Sequence, residues 1–173
     1  MDKGYIQVYT GPGKGKTTAA LGLALRAVGH GLRVCIVQFM KNDRGTGEIR
    51  AAELLATRIS IYPMGPKGFI TGKPRSVDYE MARKALDFSR DVVQSEEFDV
   101  VILDEVNVAM HYGLFPVQEI VDLMDHKPDS VELVLTGRDA PPDVVKRADL
   151  VTEMKDIKHY FAKGVVARKG IER

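Results

Sequence analysis

This sequence of 173 residues predicts an α/β fold built on a parallel sheet. Three observations carry the prediction. Short apolar, strand-like runs alternate with helix-like stretches along the chain. Val34 to Val37 and Val100 to Leu103 are apolar at every position, as strands covered on both faces must be. The first run, Tyr5 to Tyr9, feeds a glycine-rich turn that ends in Lys16-Thr17, where the next helix begins.

Tyr5-Ile6-Gln7-Val8-Tyr9 alternates as the first strand. In the helical stretch Thr18 to Val28, Leu21, Ala24, Leu25 and Val28 recur at helical spacing, and Gly29 and Gly31 stop it. Arg33 to Phe39 is the second strand, Asn42 to Gly47 a polar loop, Glu48 to Ala56 a helix, and Arg58 to Tyr62 a short strand alternating about Ile59 and Ile61. Residues 63 to 76 hold Pro63, Gly65, Pro66, Gly68, Gly72 and Pro74, which forbid regular structure. A loop that long in a compact domain is usually functional or disordered. Ser76 is placed to cap the next helix, with Asp78 and Glu80 in its first turn and Met81, Ala85, Phe88 and Val92 as its inner stripe. Val100 to Leu103 is a strand, and Pro116 opens a helix with Val117, Ile120, Val121 and Met124 inward. Val131 to Leu135, Pro141 to Ala148 and Leu150 to Met154 read as strand, short helix and last strand. No repeat or linker divides the chain, so residues 1–173 are expected to form a single domain.

Composition narrows the function classes. A formal net charge of +1 gives no field for nucleic acid, and no run of like charge forms an interaction tail. No apolar stretch approaches the ~20 residues that span a bilayer. The chain passes directly into a strand, with no visible signal peptide. Its single cysteine, Cys35, lies in an apolar run and reads as a buried structural thiol; a reducing cytoplasm fits. The four histidines, His30, His111, His126 and His159, show no zinc spacing, and no Ser-His-Asp or Cys-His arrangement is evident. The nucleophile is then to be sought in a ligand rather than in a side chain.

The chemistry gathers at a few strand ends. Thr10-Gly11-Pro12-Gly13-Lys14-Gly15-Lys16-Thr17-Thr18 is a phosphate-binding loop with threonine at the place of the usual first glycine. Its glycines let successive N–H groups turn inward around anionic oxygens, and the helix start adds its own unpaired donors. Lys16 supplies a point charge to the phosphates and Thr17 a hydroxyl to Mg²⁺. The strand Val100 to Leu103 ends in Asp104 and Glu105, the acidic partner element of such a loop, one of which holds Mg²⁺ directly or through water. Arg138, in Thr136-Gly137-Arg138 after the next strand, reads either as a bidentate phosphate contact or as an ordinary surface arginine. Lys41, after the second strand, has similar geometry.

Taken together, these segments resemble the ATP:cob(I)alamin adenosyltransferases of the corrinoid-biosynthesis type. The resemblance rests on Thr10 to Thr18 with Ala19 and Ala20, on Ala27-Val-Gly-His-Gly31, Val37-Gln-Phe-Met-Lys41, Leu103-Asp-Glu105 and Thr136-Gly-Arg138, and on the block Ile157 to Ile171. Thr10 in place of glycine is that family's habit. The resemblance implies a P-loop NTPase-like, RecA-like three-layer sandwich with six parallel strands, a homodimer, and an electron-donor protein such as a flavodoxin. It implies that ATP binds in the reverse sense to most phosphate-loop proteins, presenting C5′. Co(I) of a corrinoid would attack that carbon and release triphosphate. Gly11, Pro12, Gly13, Lys14, Gly15, Lys16, Thr17 and Thr18, with Lys41 and Arg138, would bind ATP. Thr17, Asp104 and Glu105 would hold Mg²⁺, with Glu105 the metal-side acid. Lys16, Thr17, Glu105 and Phe69 would be catalytic. Phe69 matches the phenylalanine of an aromatic pair that displaces the lower cobalt ligand; the pair's tryptophan is Thr71 here. Family members often carry a longer N-terminal lid, whereas only Met1 to Lys3 precede the first strand, so that lid is expected to be missing or replaced.

Two other readings compete with it. A P-loop kinase or nucleotide hydrolase would act on the γ-phosphate and give ADP rather than triphosphate. A binding module, such as a corrinoid carrier or an ATP-driven regulator on nucleic acid, is the other; the neutral net charge and lack of a basic stripe argue against nucleic acid.

Overall fold

The computed structural model describes residues 2–43, 45–54, 58–66, 68, 70 and 72–172. The strands are β1 (Ile6–Thr10), β2 (Val34–Gln38), β3 (Ile59–Pro63), β4 (Val100–Asp104), β5 (Glu132–Thr136) and β6 (Leu150–Glu153). The helices are α1 (Lys16–Gly29), α2 (Gly47–Leu54), α3 (Ser76–Ser95), α4 (Val106–His111), α5 (Val117–Asp125) and α6 (Pro142–Arg147), with a 3₁₀ turn at Tyr160–Lys163. All six strands join one sheet in the order β3-β2-β4-β5-β1-β6, and every pairing is parallel.

The apolar strands explain the layering. In β4, Val101 and Leu103 face one core and Val100 and Ile102 the other. Cys35 and Val37 of β2 follow the first pattern, and Val34 and Ile36 the second. The first core is closed by Ala82, Leu86 and Val93 of α3, with Ala109 of α4, Ile120 of α5 and Val144 of α6. The second is closed by Ala20, Ala24 and Ala27 of α1 and Ala52 of α2. Helices therefore cover both faces, which a central parallel strand with no polar face requires. Each fully buried Leu or Ile contributes about 1.5–3 kcal/mol, so the four central strands anchor the molecule.

Helix faces differ from the sequence reading in two places. In α1 the buried residues are Ala20, Ala24 and Ala27 with Lys16, and Leu25 is 59% exposed. Of the residues named from spacing, Ala24 is buried and Leu21 and Val28 are partly buried against the second core, so Leu25 alone departs, and the alanine methyls complete the face that α1 sets against the sheet. In α3 the buried face is Asp78, Ala82, Ala85, Leu86, Ser89, Val92 and Val93; Phe88 is partly buried, its ring edge-on to Tyr62 at 4.8 Å. Ser89 reaches the core because its hydroxyl is satisfied by the Ala85 carbonyl at 2.6 Å. Ser76 opens the helix rather than capping it. Arg75 precedes it, and its N–H donates to the Asp78 carboxylate at 2.7 Å, with the guanidinium adding contacts at 2.9 and 3.1 Å. The six-residue α4 was not read from the sequence at all. The helix expected to run to Ala56 is described as far as Leu54, and Ala56 lies outside the described residues.

Parallel pairing puts the carboxyl ends of all strands on one edge. The phosphate loop after β1, Phe39 to Lys41 after β2, Glu105 after β4, Gly137-Arg138 after β5 and the segment after β6 leave the sheet together there, where ligands bind in open α/β folds.

Candidate active site

The glycine loop has the backbone that its composition predicts. Gly15 takes φ +114° as it turns into α1, a region closed to residues with a Cβ. Gly13 is needed for a different reason. A Cβ there would stand 2.7 Å from the Met154 and Lys155 carbonyl oxygens, and the Gly13 N–H donates to the Met154 carbonyl at 2.7 Å. Thr10 earns its place with a bond that glycine lacks: its Oγ1 accepts from the Ala140 N–H at 3.2 Å, tying the end of β1 to the loop after β5.

Lys16 is buried, and its Nζ donates to the carbonyls of Gly11 at 2.8 Å and Gly13 at 2.6 Å. Burial pushes its ammonium below the usual lysine value; Glu105 opposes that and Arg138 adds to it. Gly11 contributes through this carbonyl, whereas Pro12, Gly13, Lys14, Gly15, Lys16, Thr17 and Thr18 all line a cleft of about 930 Å³.

Asp104 is the buried hub beneath the cleft. Its Oδ1 accepts from the hydroxyls of Thr17 at 2.8 Å and Thr136 at 2.7 Å, and its Oδ2 from the Gln38 amide at 3.2 Å and Lys41 Nζ at 3.0 Å. Gln38 and Thr136 are the supports that sequence reasoning missed. Both lie at strand ends within segments named for the resemblance, and that position is the signal they give. Lys41 is paired also with Glu48 at 3.7 Å. Burial works against its charge, but Asp104, then Glu48 and Glu105, outweigh it and raise its pKa.

Glu105 stands differently from its neighbour. Its φ of 63° turns the chain sharply from β4 into α4, and its N–H donates to Thr136 Oγ1 at 3.0 Å. It lines the cleft together with Lys41 and Arg138. Burial raises its pKa first and Asp104 second, against Lys41, Lys16 and Arg138. Gly137, at φ +130°, precedes Arg138; a Cβ on it would meet Asn107 and Val108 at 3.0 Å. Arg138 thus stands, solvent-exposed, on the rim of the cleft.

Among the described residues no cluster of three metal-binding side chains occurs. A cation bound to a nucleotide needs fewer protein ligands, because phosphates and water supply most of them. The donor set fits such an ion. The Thr17 proton is committed to Asp104, so its oxygen lone pairs are free for a cation, and Glu105 adds a carboxylate on the same cleft. Phe69 and Thr71 lie outside the described residues.

The opposite wall was not anticipated from spacing: Asp156, His159, Phe161, Ala162, Ile171 and Glu172 line the cleft from the segment after β6. Asp156 and Glu172 flank the block Ile157 to Ile171 on which the resemblance rested, and the others belong to it.

Comparison with known proteins places the whole. Residues 2–173 match the family model "ATP:corrinoid adenosyltransferase BtuR/CobO/CobP". A corrinoid adenosyltransferase from Sinorhizobium sp. is 39% identical over 173 residues, covering 99% of this chain and 81% of the relative. One from Escherichia coli K12 is 34% identical over 171 residues, covering 99% and 86%. Among solved structures, a KaiC-like protein from Pyrococcus horikoshii OT3 superposes with a TM-score of 0.58 at 18% identity, over 87% of this chain and 73% of that one. The RadB recombinase gives 0.57 at 15% identity, over 91% and 77%. These likenesses show a RecA/KaiC-type P-loop fold. The sequence motifs agree with the match over residues 2–173, and the chain belongs to the ATP:corrinoid adenosyltransferase family.

Proposed function

We propose that this protein transfers the 5′-deoxyadenosyl group of ATP to Co(I) of a corrinoid. The two electrons of Co(I) form the Co–C bond as the C5′–O bond breaks onto the departing triphosphate. One observation carries the reading: five of the blocks that resemble the family, those at Thr10 to Ala20, Val37 to Lys41, Leu103 to Glu105, Thr136 to Arg138 and Ile157 to Ile171, contribute residues to a single cleft. Co(I) is itself a strong nucleophile, so the protein's work is to position two substrates and to stabilise charge on the leaving group.

In this reading the N–H groups of Lys14 to Thr17 and the ammonium of Lys16 receive the triphosphate. Lys16 exchanges its two loop carbonyls for phosphate oxygens, and Lys41 and Arg138 add charge from the far side. Thr17 and Glu105 hold Mg²⁺, with Asp104 fixing the Thr17 hydroxyl. When bound, the ion neutralises the charge that develops on the leaving triphosphate. Phe69 is assigned, from the resemblance, to the lower face of the corrinoid, where it excludes the lower cobalt ligand. Reverse binding of ATP, a homodimer, a cytoplasmic setting and an electron donor of the flavodoxin type belong to the same proposal. Among the described residues no helix is long and apolar enough to cross a membrane.

The γ-phosphate reading is not favoured by the family match. Anaerobic incubation with chemically reduced corrinoid, Mg²⁺ and ATP tests the proposal. A Co–C absorbance change with stoichiometric triphosphate is expected, and ADP with no new corrinoid spectrum refutes it.

A further inference from the structure

Residues 155–172, which follow β6, form a strap across the phosphate loop. Within it no residue is fully buried; Phe161 is 75% exposed and Ile171 59% exposed, although both line the cleft. A segment with no core of its own is held by polar contacts, and here they converge on one carboxylate. Glu172 accepts from Lys14 Nζ at 3.0 Å, from the Arg168 guanidinium at 3.0 and 3.3 Å, from the Arg168 N–H at 2.8 Å, and from the Tyr160 hydroxyl. Lys14 donates in addition to Tyr160 Oη at 3.0 Å and to the Ile171 carbonyl at 3.4 Å. Arg168 stacks over the Tyr160 ring, 5.1 Å from its centroid.

Lys14 belongs to the phosphate loop, so these bonds fasten the strap to the loop itself. We propose that Glu172 is a positioning residue for nucleotide binding: it clamps residues 155–172 onto Lys14, so that the strap closes one side of the cleft over the bound nucleotide. This rests on the reading of the cleft as an ATP site. A carboxylate beside a phosphate loop can also act as a competitor that mimics phosphate. The contacts decide against that role. A mimic would sit on Lys16 and the loop N–H groups, yet Lys16 is turned to Gly11 and Gly13, and the partners of Glu172 are Lys14 and the strap's own residues. Arg168 and Lys14 together outweigh its single negative charge, so the clamped strap stays attractive to an anion.

The test measures ATP affinity by titration calorimetry with Mg²⁺ on the full chain, beside KM and kcat for adenosyl transfer. E172A and E172Q are expected to weaken ATP binding by about tenfold, with KM rising in step and kcat held within about threefold, because the cost is that of ordering the strap on the ligand. E172D should recover most of the loss. No core residue is touched, so the melting temperature should stay within about 2 °C of the parent. Y160F placed on E172A should add little, since both changes open one clamp. Unchanged or tighter ATP binding by E172A, a fall in kcat at constant KM, or additive losses in the double variant overturns the clamp. A parent that binds ATP but forms no adenosylcorrinoid overturns the proposed function and leaves the clamp standing.

Discussion

Lys16 and Glu105 carry opposite charges in one cleft, and burial disfavours the charged form of both. Each is therefore held in a state that a ligand relieves. Lys16→Ala removes the buried ammonium bonded to the loop carbonyls of Gly11 and Gly13. Loss of one preorganised donor to a developing anion costs about 3–4 kcal/mol, or 10²–10³ in kcat, and steady-state adenosyl transfer should show a fall of that order. For Glu105 the raised pKa sets a pH dependence. A carboxylate whose pKa is raised takes up its proton at a higher pH than an ordinary Glu, and a protonated Glu105 does not hold a cation. The Mg²⁺ requirement of the parent should therefore rise on acidification before ordinary carboxylates titrate. Glu105→Gln should show a high requirement at every pH, with no such inflection. An unchanged Mg²⁺ titration in that variant would place the ion elsewhere. Both residues were legible from spacing, because a glycine loop and an acid-ended apolar strand each need a fixed residue order. Gln38 and Thr136 were not, because they act through Asp104 and become neighbours only when β2 and β5 flank β4.

Elements were legible where a strand is buried on both faces or where glycine and proline punctuate. The helix faces were harder. An alanine face such as that of α1 gives no hydrophobic peak, and six residues of α4 complete fewer than two turns. Ion pairs between elements leave no trace in spacing, and the clearest of them joins α3 to α5. Glu119 accepts from Arg83 at 2.6 and 2.9 Å and from Arg90 at 2.6 Å. The Arg83 contacts, aided by Arg90, hold its pKa down to about 2. The sign follows directly. A depressed carboxylate contributes stability that is present above its unfolded value of about 4.3 and is lost as pH falls through about 2. Arg83 and Arg90 side chains are 43% and 37% exposed, so water screens the cluster and about 1 kcal/mol is the expected contribution at neutral pH. Glu119→Gln should lower the melting temperature by a few degrees at pH 7, and the gap to the parent should close between pH 4.5 and 2. A constant gap would assign the effect to packing. Leu86→Ala, at the buried centre of α3, should instead cost about 2–5 kcal/mol in urea unfolding at any pH.

At the scale of the molecule, the sheet's carboxyl edge collects the charged and polar groups that line the cleft. The core below it is closed by apolar side chains from helices on both faces. Stability and binding are thus drawn from different parts of one body, and a ligand should stabilise the whole by mass action. With ATP and Mg²⁺ at about 100 times the dissociation constant, the added stability is about 2.7 kcal/mol. In a protein of this size each kcal/mol moves the melting temperature by about 2–4 °C, which gives a rise of roughly 5–10 °C. Lys16→Ala separates the two contributions. Without nucleotide, the variant loses two hydrogen bonds to loop carbonyls but also sheds a buried charge, so its melting temperature should stay within a few degrees of the parent. With ATP and Mg²⁺ its rise should largely vanish. A variant that melts far below the parent in the absence of nucleotide would make Lys16 a structural residue. A variant that keeps the full rise would show that the triphosphate is held without it. The contrast between an intact fold and a missing shift is what a binding edge set on an independent core predicts.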